Sequence, residues 1–274
     1  LVICAFFMIR YLLESDTTTK QTEKLKKEYV IVERMPIDDT DEQTENDKSY
    51  IAVQPIPVEK DKLIIDGREY DTFADLSVPK RKIDFDGIQS KENKDIYAWI
   101  YIPNTNVDYP ILQHEKNNAF YLDHDMNGKK ASCGSIFTEN YNNTDFNDNH
   151  TVVYGHNMKN GSMFKSLRNY DDKKFFDENP YIYVYTEWDT RVYEIFGAYE
   201  YDDRHLLTNF ETKNSGEFQK YLESVKKLGD SCGHFNRDLT VNSNDKIITL
   251  STCISGKPSS RYLVQGKLIA VEEN

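Results

Sequence analysis

The chain has 274 residues, 38% of them hydrophobic and 29% charged, with a formal net charge of -12. That length allows one sizeable domain with additional segments. The acidic balance excludes nucleic acid as a partner, because phosphate binding needs clustered Lys and Arg.

Residues 1–13 read LVICAFFMIRYLL, shorter than the roughly 20 apolar residues that cross a bilayer and interrupted by Arg10. The first residue is not methionine, and the stretch reads as the C-terminal part of a membrane anchor, with the rest of the protein outside the cell. The competing reading is a short buried helix or strand. Residues 14–82 are rich in Lys, Glu, Asp, Thr and Gln, carry Pro36, Pro55, Pro57 and Pro79, and show no sustained apolar period. Such a composition buries too little surface to offset its ordering entropy, so a polar stalk or linker is expected. Short helical or extended pieces are expected near residues 24–32 and 62–65, docked on the domain where they are ordered.

The globular part spans residues 83–274 and opens with a short helix over 90–95. Segments rich in Tyr, Val, Ile and Phe predict strands over 97–102, 107–112, 134–138, 151–155, 181–186, 191–201, 246–252 and 261–271. Eight strands with few long helices between them point to an all-β fold, an eight-stranded closed or nearly closed barrel. One long helix is predicted between the strand over 191–201 and the strand over 246–252. Ser215 caps it, Phe218, Tyr221, Leu222, Val225 and Leu228 share one face, and Gly229 follows its end. Helical turns are predicted over 163–167 and 172–176.

Thr249-Leu250-Ser251-Thr252-Cys253 ends one apolar run, and Arg261 begins the next. Gly256 and Pro258 between them are turn formers, so the runs fold back and bring thiol and guanidinium to one rim. A proton partner stands at the end of a third run, where Gly155 closes Thr151-Val152-Val153-Tyr154 and His156 follows. Cys232-Gly233-His234 is a weaker pair, because its flanks read as loop with no strand to hold it. Asp123 to Gly128 matches the opening of a calcium loop, but the twelfth position is Gly134 instead of a bidentate glutamate, which leaves a polar turn. No metal site is expected. Four cysteines, one of them in the apolar N-terminal stretch, do not form a disulfide framework; a bond between Cys133 and Cys232 stays open.

Thr249 to Cys253, with Arg261 downstream and His156 upstream, resemble the sortases, cysteine transpeptidases of Gram-positive bacterial surfaces. The likeness spans residues 96–271. The long helix before the cysteine strand is similar to that of class B members. The resemblance implies a sortase-type barrel with an N-terminal helix and the long helix as additions, and no cofactor. It implies that Cys253 attacks the threonine carbonyl of a C-terminal sorting motif on a secreted protein and forms a thioester. An amine of the cell wall, from a peptidoglycan cross-bridge or its lipid-linked precursor, then takes the acyl group.

In that scheme His156 is general acid and base, and Arg261 hydrogen-bonds the substrate carbonyl or the developing oxyanion. Thr252, with Ser251, Asn157 and Ser255 beside it, is expected to shape or support the substrate groove. Strand alternation puts Ser251 and Cys253 on one face and Thr252 on the other. The location implied is the cell membrane, single-pass, with the catalytic domain extracellular. Two rival readings remain: a cysteine peptidase that uses water alone, and a catalytically inactive surface module that binds a partner.

Overall fold

The β-branched and aromatic runs of the second half of the chain close into a barrel. The structure, a computed structural model, describes residues 2–32, 62–65, 68–71, 76 and 78–274. Helix α1 (Val2–Tyr29), strands β1 (Val30–Val32), β2 (Lys62–Ile65), β3 (Arg68–Asp71) and β4 (Arg81–Ile83), and helix α2 (Phe85–Lys91) come first. Strands β5 (Ile96–Tyr101), β6 (Asp108–Leu112), β7 (Phe137–Thr138) and β8 (His150–Tyr154) follow. Then come α3 (Lys173–Glu178), β9 (Tyr181–Thr186), β10 (Asp189–Asp202), α4 (Leu206–Asn209), α5 (Ser215–Cys232) and β11 (Gly233–Phe235). The chain ends with β12 (Ile247–Ile254) and β13 (Lys257–Glu273).

Neighbouring strands run in the order β10-β9-β5-β6-β7-β8-β12-β13, and β13 returns to β10, which closes an eight-stranded barrel. Most pairs are antiparallel. The two parallel pairs that matter for the site are β6 with β7 and β8 with β12. Closure leaves these eight strands without a free edge.

The barrel is buried on both faces over much of its surface, which is why several strands read as continuous apolar runs. Ala98, Ile100, Val153, Val184, Ile195, Leu250 and Val264 fill the interior. On the outside, Trp99, Tyr183, Tyr185 and Val192 pack under α1 and α2 with Leu25, Tyr29, Phe85 and Ile88. A second outer layer sets Phe218, Tyr221, Leu222 and Val225 of α5 against Phe196, Tyr199, Ile247 and Leu263. Burying each such large side chain contributes about 2 kcal/mol, enough to fix α5 across the back of β12.

The structure shifts several expected boundaries. The predicted strand over 134–138 is only Phe137–Thr138, because Ser135 instead grips the preceding loop, its backbone N–H donating to Tyr121 O and its hydroxyl to His124 O. The helix expected over 90–95 starts earlier, at Phe85, where the Asp84 carboxylate accepts the Gly87 backbone N–H. Asn214, not Ser215, caps α5, its side-chain oxygen accepting the backbone N–H groups of Gly216 and Glu217. Gly229 lies inside that helix, buried, because a Cβ there would stand 2.9 Å from Phe235 Cβ. The segment expected to be loop after Gly229 is the last turn of α5 and then β11, paired with β10.

Within the segment read as a linker, residues 16–32 are ordered against the domain; residues 33–61, 66–67, 72–75 and 77 lie outside the described residues. Thr18, Thr22, Leu25 and Tyr29 are the buried stripe of α1. Thr18 Oγ1 lies 2.9 Å from Cys133 Sγ, and Gln21 Nε2 donates to Asp125 Oδ2 at 3.0 Å. Residues 62–65 form β2, as an extended piece. No helix among the described residues is long and apolar enough to cross a membrane. None of Cys133, Cys232 and Cys253 is in a disulfide, so the bond between Cys133 and Cys232 is not formed.

Candidate active site

Register across three strands assembles the chemistry. Cys253 on β12 is the direct partner of Arg261 on β13, and Arg261 is the direct partner of Tyr201 on β10. Direct cross-strand partners leave the sheet on the same face, so thiol, guanidinium and phenol form one row. One step down the same face, Tyr154 of β8, Ser251 of β12 and Leu263 of β13 form a second row, with Phe137 of β7 beside Tyr154. These rows floor a cleft of about 230 Å³ that His156 also lines.

His156 follows the end of β8, where the Gly155 N–H still donates to Ser251 O at 3.1 Å. Its Nε2 is 2.7 Å from the backbone carbonyl of Leu122. A carbonyl only accepts, so Nε2 carries the proton and Nδ1 is the nitrogen left for exchange. The next residue ties the loop to the cysteine strand: Asn157 Nδ2 donates to Cys253 O at 2.8 Å. The Cys253 side chain is exposed and its thiol is free. Arg261 Nη1 donates to Pro258 O and Ser260 O, which holds the guanidinium against its own hairpin, beside the tight turn at Gly256.

The structure therefore gathers Cys253, His156 and Arg261 around one cleft, and Ser251 and Thr252 line it as well. Strand alternation alone predicts Thr252 on the opposite face. It is 2% exposed, at the place where a bulge breaks the ladder after Cys253, and its Oγ1 has no partner among the described residues. Asn157 and Ser255 are not among the residues lining the cleft; Asn157 acts on the backbone of Cys253 instead, and Ser255 is exposed in the hairpin turn.

The alternative pair does not assemble. Cys232 Sγ lies against Glu200 O and Leu228 O, while His234 Nε2 bonds Asp171 O. Asp123 to Gly128 is a polar turn in which Asp125 accepts the N–H groups of Asn127 and Lys129. No cluster of metal-ligating side chains occurs among the described residues.

Several cleft residues had no mark in the sequence. Leu122 acts through a backbone carbonyl, which any residue would supply. Tyr201 reaches the site only through strand order. Its hydroxyl is buried without a partner among the described residues, and burial pushes its pKa up to about 12, so it stays neutral. Glu139, just after β7, and His205, the N-cap of α4, close the far side.

A sortase-domain family model matches residues 100–269, more than half of the chain. The chain belongs to the sortase family. Sortase B of Listeria monocytogenes is 39% identical over 181 residues, which cover 65% of this chain and 72% of that one. The solved sortase B of Clostridium perfringens superposes with a TM-score of 0.60 at 34% identity, covering 67% of this chain and 98% of that one. A substrate complex of Staphylococcus aureus sortase B superposes with a TM-score of 0.59 at 31% identity, covering 68% of this chain and 84% of that one. The relatives place this sortase in class B, and sortases of this class are cysteine transpeptidases with a role at the cell surface, so the eight-stranded barrel with α5 before the cysteine strand matches its family in both fold and chemistry.

Proposed function

We propose that this sortase cleaves a C-terminal sorting motif after its threonine and transfers the new acyl end to an amine of the cell wall. The single observation that carries the reading is the convergence of Cys253, His156 and Arg261 on one cleft. In the first step the Cys253 thiolate adds to the threonine carbonyl carbon, and the oxyanion takes hydrogen bonds from the Arg261 guanidinium. The C–N bond breaks, the leaving amine takes a proton from His156, and a thioester remains.

In the second step an amine of a peptidoglycan cross-bridge or lipid-linked precursor gives a proton to His156 and attacks the thioester. The C–S bond breaks, the new amide leaves, and the thiolate is restored. Both hairpin carbonyls are held by Nη1 alone, so the remaining guanidinium donors serve the oxyanion while Arg261 stays on its hairpin. The sortase family supports work at the surface of a Gram-positive cell, and the apolar sequence of residues 1–9 is read as part of a membrane anchor.

The test is cleavage of a sorting-motif peptide by the soluble domain, followed by mass spectrometry with and without triglycine. The parent should accumulate a thioester on Cys253 and yield a ligated product when triglycine is added. Cys253→Ala should do neither. Cleavage by Cys253→Ala at the parental rate overturns the assignment, and product that stays hydrolysed at saturating triglycine makes the protein a peptidase.

A further inference from the structure

Beyond the three residues at the scissile bond, the cleft holds a carboxylate that the transfer chemistry does not use. Glu139 Oε2 accepts from the Tyr154 hydroxyl at 3.2 Å and lies 2.7 Å from His205 Nε2. The His205 ring is held in turn, because its Nδ1 accepts the Thr208 backbone N–H at 3.3 Å. With Nδ1 accepting, the ring proton sits on Nε2, which donates to Glu139 Oε2. Its Oε1 has no partner among the described residues, and the side chain is 15% exposed, toward the cleft it lines.

The surroundings suit a cation. The rings of Tyr154 and Tyr141 lie beside His205, at centroid distances of 6.4 and 5.7 Å. Aromatic faces next to a fixed carboxylate are the usual environment for an alkylammonium. Nearby Arg204 does not compete, since both Asp202 carboxylate oxygens already take its Nε.

Register places Glu139 relative to the nucleophile. Thr138 pairs with Val153, so Glu139 stands level with Val152, which pairs with Thr249, four residues along β12 from Cys253. At about 3.3 Å per residue that is roughly 13 Å along the strand direction. An amine attacking the thioester carbon is excluded at such a distance, whereas an extended peptide reaches it with a side chain a few residues from the scissile threonine. We propose that Glu139, held by His205 and Tyr154, is a specificity subsite for a lysine side chain of the sorting peptide. The proposal rests on the transpeptidase reading above.

The experiment uses a set of fluorogenic peptides with a fixed threonine, in which each of the four residues before it is in turn lysine, norleucine or glutamine. kcat/KM is measured for the parent and for Glu139→Gln, which keeps the acceptor for His205 and Tyr154 and removes only the charge. One lysine position should exceed its norleucine counterpart by about tenfold in the parent, the size of one charge-assisted hydrogen bond, and the ratio should fall to about one in Glu139→Gln. Glu139→Lys should reverse the preference toward a glutamate peptide. Equal ratios in parent and Glu139→Gln, with unchanged melting temperatures, reduce the carboxylate to a clasp on α4 and overturn the proposal. An effect confined to the KM of triglycine overturns it too, since the cation would then come from the acceptor. If the parent cleaves none of the peptides while Cys253 still reacts with iodoacetamide, the transpeptidase reading itself fails.

Discussion

The Asn157 side-chain amide donates to the backbone carbonyl of Cys253 at 2.8 Å, joining the loop that carries the histidine to the strand that carries the thiol. Asn157 Oδ1 is buried with no partner among the described residues, so the amide is held by this bond alone. Asn157→Ala should lower kcat about tenfold with little change in KM, the loss of one hydrogen bond that fixes geometry and not binding. Asn157→Asp should be worse, because a carboxylate would face a carbonyl oxygen. The pH profile of single-turnover acylation separates the roles: a positioning role moves it, while a merely structural one lowers the melting temperature and leaves it in place.

Arg261 is held by two carbonyls of its own hairpin, Pro258 O and Ser260 O, through one terminal nitrogen, Nη1. Lysine would reproduce the charge but not a fork that can hold the hairpin and reach an oxyanion at the same time. Arg261→Lys should therefore lose about a hundredfold or more in acylation rate, within a factor of a few of Arg261→Ala. Rescue by lysine to near the parental rate would show that charge alone suffices.

A glycine far from the cysteine governs the histidine. Gly134 has φ +54°, and a Cβ there would stand 2.5 Å from Tyr121 O and 2.7 Å from Leu122 O. Leu122 O is the acceptor that orients His156. Gly134→Ala should thus cost about 1–3 kcal/mol of stability from backbone strain, and more of the activity than that loss explains, because the acceptor must move. Denaturant unfolding and kcat on one preparation check this; a stable variant with parental kcat would break the link between Leu122 and His156.

The order and extent of the strands were largely readable from residue type. The strand over 181–186 has the same bounds in both, since its Tyr, Ile and Val are buried on both faces. The row of Cys253 and Arg261 was readable too, because a hairpin fixes its own register. What escaped depended on partners distant in sequence. Tyr201 joins the row through the β10–β13 pairing, and the Leu122 carbonyl has no side chain to betray it. Gly229 followed the pattern of a helix end but serves as the smooth patch on which β11 rests. The docking stripe of α1 includes Thr18 and Thr22, polar residues whose burial an apolar period does not reveal.

Acid should weaken the cysteine strand from beneath. His150 is 1% exposed, its Nε2 lies 2.7 Å from Thr249 Oγ1, and Thr249 begins the segment that ends in Cys253. Gln265 Nε2 donates to the same Thr249 hydroxyl oxygen and to the Tyr221 hydroxyl, so the polar cluster joins β8, β12, β13 and α5. Burial pushes the His150 pKa down to about 3 from 6.5. With the folded value below the unfolded one, the unfolded chain binds the extra proton in the window between them. The contribution is fully present above pH 6.5 and is lost as the pH falls toward 3, at about 1.4 kcal/mol per pH unit. Denaturant unfolding between about pH 7 and 4.5 should show this slope in the parent, on top of the carboxylate background. His150→Gln, which can still bond Thr249, should lack about one proton of it. Identical slopes in the two proteins would mean that His150 is protonated in the folded state and that the cluster beneath β12 does not sense acid.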